Sequence, residues 1–205
     1  MSGDAKAAVL GRIRHALTVA PPAPVEVPRA YEREPLTGSG DVNRFAETVG
    51  EYRAQVLRIP AGHIGATVAA LVPSGGWVAV PADLPPEWVE GVDARPDDPP
   101  LWNSVLDEAA AVVTGCVLGI AATGTMVLDA GAGQGRRALT LVPDRHICVV
   151  FERQIVNTVP QAFAALDPVR PLTFISGPSA TSDIELQRVE GVHGPRTLDV
   201  LIVED

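Results

Sequence analysis

The chain has 205 residues, is 46% hydrophobic and 20% charged, and carries a formal net charge of −9, which suits one substantial core and is short for two full domains. The acidic balance argues against binding driven by nucleic-acid phosphates, which needs a basic face to displace counterions. Cys116 and Cys148 are its two cysteines, too few for an iron–sulfur cluster or a cysteine-rich zinc site and no basis for a disulfide framework.

In chain order, Val9, Ile13, Ala16 and Leu17 fall at helical spacing, with Lys6, Arg12, Arg14 and His15 opposite. That pattern predicts an amphipathic helix within residues 1–20, too polar for a signal peptide, so a cytoplasmic protein is expected. Five prolines between residues 21 and 35 predict an extended linker over 21–40, ahead of an α/β domain at 41–205. Asp41 is a good N-cap, and Phe45, Val49, Tyr52, Val56 and Ile59 predict one helix running to Pro60. Beyond it "HIGATVAALV" reads as helix, "GWVAVP" as strand, "PPEWVEG" as a short helix, "AAVVTG" as strand and "CVLGIA" as a short helix. Then "TMVLDA", "ALTLVP" and "HICVVF" read as strands, "VPQAFAAL" as helix, "LTFIS" as strand, "SDIELQRV" as helix and "LDVLIV" as a last strand. Such alternation implies an α/β fold with an open, mostly parallel sheet and helices on both faces, and one antiparallel insert over residues 125–142. The uncharged run from Ala109 to Leu128 is long enough to span a bilayer, but Gly115, Gly119 and Gly124 break it, so no membrane span is expected.

"GAGQGRR", Gly131 to Arg137, imitates a nucleotide loop. A strand is predicted after it, whereas a dinucleotide fingerprint needs a helix there, so a hairpin connection is the better account. Arg136 and Arg137 remain candidates to meet an anion or an acidic partner. Thr123, Gly124 and Thr125 form a turn whose hydroxyls and backbone donors can face a small ligand at a sheet edge, or serve only as a tight turn. His146 opens an apolar strand and reads as a hydrogen-bonded structural group; His193, between Gly191 and Gly194, is freer to reach a pocket. In "SGPSATSDIE" Ser182 and Glu185 make a capping box, leaving Ser176, Gly177, Ser179 and Thr181 as surplus hydroxyls and donors at the end of a predicted parallel strand. Asp183 in the following turn opposes a highly charged anion, so a hydroxylated ligand or a single carboxylate fits better.

"VVTGCVLGIAATGTMVLDAG", "GRRALTLVPDRHICVV" and "LTFISGPSATSDIELQRVEGVHGPRTLDVLIV" resemble the LUD domain, most closely the lactate-utilisation protein C family, over residues 105 to 205. The basic N-terminal helix and proline linker are similar to that family too. The resemblance implies a fold like the NagB/RpiA/CoA-transferase group and a part in oxidising L-lactate to pyruvate beside partner proteins that carry iron–sulfur clusters, with no cofactor on this chain. Family members commonly have glutamate where this chain has Ala122, which weakens any catalytic role for the turn. The expected function is a non-redox subunit or accessory protein with a small-carboxylate pocket. The alternatives are an independent isomerase or CoA-transferase, suggested by fold analogy alone, and a small-carboxylate sensor.

Overall fold

A computed structural model of the chain describes residues 2–19, 26–28, 40–181, 189–190 and 194–204. The chain divides into two units, Met1–Tyr31 and Glu32–Asp205. In the first, α1 (Ser2–Val19) exposes Val9, Ile13 and Leu17.

The second unit runs in order through α2 (Val42–Glu51), β1 (Gln55–Pro60), α3 (Ile64–Leu71), β2 (Trp77–Val80), β3 (Asp93–Pro96), α4 (Asn103–Leu106) and β4 (Ala111–Thr114). It continues through β5 (Leu118–Ile120), β6 (Thr125–Leu128), β7 (Arg145–Phe151), β8 (Ile155–Val156), α5 (Val159–Ala165), β9 (Thr173–Ile175), β10 (Ala180–Thr181), β11 (Val189–Glu190) and β12 (Thr197–Glu204). A six-stranded sheet has the order β1-β12-β7-β4-β2-β3, and every pairing in it is parallel. A second sheet has the order β8-β5-β6-β9, and in it β6 runs antiparallel to both neighbours.

The central strands are apolar on both sides, as strands covered on two faces must be. Leu198, Val200 and Ile202 of β12, with Cys148 and Val150 of β7, pack against Phe45 and Val49 of α2 and against Met126 and Ile155 of the second sheet. Leu201, Val203, Ile147 and Val149 point the other way, onto Ile64 and Val68 of α3. Helices therefore flank both faces of the parallel sheet, and on one of them the small sheet shares the cover. Its outer side carries α5, where Ala162 packs on Leu118, Ile120 and Val127.

Several elements differ from the sequence expectation. α2 stops at Glu51, and Arg53 at φ 67° turns the chain. Val56 and Ile59 consequently sit on β1, paired with Val200 and Val203 of β12, so Pro60 ends a strand and not a helix. "CVLGIA" supplies β5, because Leu118 and Ile120 alternate about Gly119, where a Cβ would lie 3.0 Å from the Phe45 ring. "ALTLVP" is no strand: Arg137–Thr140 is a 3-10 turn anchored by buried Leu139 among Ala79, Leu106 and Val112, while Leu141 is exposed. The predicted insert over 125–142 thus does not form, and β6 finds its antiparallel partners in β5 and β9. β9 is correspondingly an antiparallel strand, not a parallel one. β3 was not expected; within "DARP" Ala94 alone is half-buried and the other three residues are exposed, too little pattern to signal a strand. The uncharged run at 109–128 is divided among β4, β5 and β6, and among the described residues no helix is long and apolar enough to cross a membrane. The capping box at Ser182 and Glu185 and the helix expected there lie outside the described residues.

Candidate functional site

A cavity of about 230 Å³ opens between the parallel sheet and the end of β9. His146 and Leu198, paired across β7 and β12, contribute from the sheet. Arg137 and Thr140 line it from the 3-10 turn that precedes β7, and Ser176, Gly177 and Ser179 from the chain leaving β9. The volume suits a molecule much smaller than a nucleotide.

His146 is 1% exposed, and its Nε2 lies 2.8 Å from the Oγ1 of Thr114 on neighbouring β4. Burial, with a smaller contribution from the Arg137 guanidinium, pushes its pKa down to about 4, so the ring is neutral at pH 7. Arg137 stands exposed at the mouth. Its Nη1 donates to the Thr140 hydroxyl at 2.7 Å and to the Thr140 carbonyl at 3.1 Å, which fixes the fork. Partial shielding from water lowers its pKa, and among the described residues it pairs with no carboxylate. Arg136 points elsewhere: it forms a two-pronged pair with Asp97 at 2.6 and 3.0 Å and donates to the Leu101 carbonyl at 2.6 Å. The two adjacent arginines therefore have different work, one holding the 97–101 loop and the other facing the cavity.

On the opposite wall Ser176 Oγ lies 2.7 Å from Thr125 Oγ1, which lies 2.7 Å from Thr123 Oγ1. The Thr123-Gly124-Thr125 turn thus stands behind the wall and reaches the cavity through Ser176. Gly124 has φ 56°, and a Cβ there would meet the α2 backbone at Thr48 and Val49 at 2.7 Å, so close packing on α2 accounts for this glycine. Ala122, half-buried, donates its N–H to the Asn157 carbonyl at 3.0 Å. Gly177, at φ 84°, packs against Tyr52, and the Ser179 N–H donates to the Pro195 carbonyl at 2.8 Å. Phe174 stacks on Phe163 of α5, with centroids 5.6 Å apart, and steadies β9.

The backbone of Thr181 lies in β10, paired with Val189, whereas Asp183 and His193 lie outside the described residues. Of the expected site residues the structure gathers Arg137, Ser176, Gly177 and Ser179 about one cavity. It adds Thr140 and His146, the latter hydrogen-bonded to Thr114. The structural reading of His146 holds in its hydrogen bond to Thr114, but the cavity beside the ring was not foreseen; the one signal was that His146, Cys148 and Val150 alternate onto a single face of β7. No group of three or more His, Cys, Asp or Glu able to hold a metal ion occurs among the described residues. The buried thiols of Cys116 and Cys148 are neighbours, and hydrogen bonding to Cys148 together with burial raises the Cys116 pKa well above the ordinary thiol value, which keeps it unreactive.

The profile of the LUD domain matches residues 102–203. The chain is 43% identical to a Lactate utilization protein C of Deinococcus radiodurans, over 98% of this chain and 97% of that protein. It is 32% identical to a Lactate utilization protein C of Geobacillus kaustophilus, over 78% of this chain and 70% of that one. Among solved structures, a DUF162 family protein from Deinococcus radiodurans superposes with a TM-score of 0.67 at 41% identity, covering 79% of this chain and 95% of that chain.

Proposed function

The chain belongs to the LUD-domain lactate utilization protein C family, and from that membership we propose that it is a non-redox subunit or accessory protein of an iron–sulfur-dependent L-lactate oxidation system. In this reading it works in the cytoplasm beside partner proteins that carry the clusters, and it binds a small carboxylate in the cavity at Arg137. The observation that carries the binding claim is the pairing of Arg137, a cation with no carboxylate partner among the described residues, with a wall that includes Ser176 and Ser179. A guanidinium held by Thr140 is oriented before the ligand arrives, so less side-chain entropy is lost on binding.

Two measurements test the reading. Copurification of the intact chain from cells grown on lactate should bring down cluster-bearing proteins, and calorimetry with lactate and pyruvate should give saturable binding. Turnover by the isolated chain would redirect the reading to an independent isomerase or transferase. Carboxylate binding without any cluster-bearing partner would point to a sensor.

A further inference from the structure

Thr114 is fully buried, and among the described residues its hydroxyl has one hydrogen-bond partner, the Nε2 of His146. Thr114 does not line the cavity and its hydroxyl has no other acceptor among the described residues, whereas the His146 ring does border the cavity, so Thr114 donates and Nε2 accepts. A neutral imidazole that accepts at Nε2 carries its hydrogen at Nδ1. That Nδ1–H has no partner among the described residues, although the ring is 1% exposed and lines the cavity. A buried donor and a guanidinium that, among the described residues, meet no acceptor and no carboxylate respectively make this cavity a place prepared for an anionic acceptor.

We propose that Arg137 and the Nδ1–H of His146 together form the seat for the carboxylate group of a small monocarboxylate, with Arg137 supplying the charge, His146 a neutral directional donor, and Thr114 the lock on the ring's tautomer. The assignment rests on the small-carboxylate reading above and adds which residues grip the ligand. One guanidinium and one neutral donor match a single negative charge. A dicarboxylate would bring a second charge that no other described side chain of the cavity balances, since Ser176, Ser179 and Thr140 offer hydroxyls only. Thr114 is a positioning residue here, because it acts through the ring.

The test is imidazole 15N NMR of the full-length labelled chain, titrated with pyruvate, with calorimetry of variants. The free protein should show His146 protonated at Nδ1 and bare at Nε2, and pyruvate should shift the Nδ1–H resonance in step with saturation. Arg137→Gln and His146→Phe should each weaken pyruvate by about tenfold or more, the usual loss when a charge-assisted hydrogen bond is removed. Thr114→Val should weaken it by less and let the ring sample the other tautomer, a signature that a purely structural threonine would not leave. Malonate should bind more weakly than pyruvate. Saturable pyruvate binding that leaves the His146 resonances unmoved, or an Nε2–H tautomer in the bound state, overturns the seat while the small-carboxylate reading survives. Failure of the parent protein to bind either pyruvate or lactate overturns both. Should His146→Phe not fold, the titration of the parent protein still decides.

Discussion

His146 shows how a single side chain links stability to the cavity. Its pKa in the folded protein is about 4, against 6.5 for a free histidine, so below pH 6.5 the unfolded chain takes up a proton that the folded one resists. Its contribution to stability is therefore complete above pH 6.5 and lost as pH falls toward 4. A difference of that size corresponds to about 3 kcal/mol. Urea unfolding at pH 7, 5.5 and 4.5 should show this decline, and His146→Gln, which cannot titrate, should flatten it. Asp199 is a different case, a fully buried carboxylate held by Arg145 at 2.6 and 3.1 Å, so replacing it would break an ion pair. A variant at Asp199 would therefore not mimic one at His146. The same burial that makes His146 sensitive to acid keeps it a neutral donor at pH 7, which the proposed seat requires.

At the scale of elements, α2 ties the two sheets together. Asp41 Oδ1 accepts from the Arg44 N–H at 2.9 Å to start it, and Phe45, fully buried, fills the space left by Gly119 on β5 while packing near Val150 of β7. Phe45→Ala should cost about 3–5 kcal/mol, seen as a lower midpoint in chemical unfolding, and Gly119→Ala should not rescue it, since one methyl cannot replace a ring. This region also shows what periodicity could and could not reveal. The long apolar strands β7 and β12 and the start of α2 were legible, because β-branched runs and an Asx cap act locally. The end of α2 was not, since Val56 and Ile59 continue the helical spacing of Phe45 and Val49 while serving as strand residues. β5 escaped because a three-residue strand containing glycine has too little pattern to read, and the 3-10 turn at Arg137–Thr140 was mistaken for a strand because its buried leucine sits in an apolar run. Half of the cavity was visible as hydroxyls in excess of a cap's needs. The other half was legible only in part: Arg137 was a candidate anion contact, but it comes to the same cavity as His146 only through the 3-10 turn at Arg137–Thr140, which an apolar run disguises as a strand.

For the molecule as a whole, the four apolar clusters draw their described residues from position 42 onward. A chain lacking residues 1–31 should accordingly fold and melt cooperatively within a few degrees of the full-length protein, as differential scanning calorimetry would report. A large loss of melting temperature would place α1 in the core. Within the second unit the cavity has one side on the parallel sheet, at His146 and Leu198, and the other on the segment leaving the small sheet, at Ser176 and Ser179. A molecule seated there would touch both, so its affinity would include whatever free energy is needed to hold that seam shut. By reciprocity, a protein that docked across the seam and closed it would raise affinity for the small molecule, and the small molecule would raise affinity for the docked protein by the same factor. No separate relay between two distant sites would be required: occupancy of the cavity would itself be the signal that the docked protein reads.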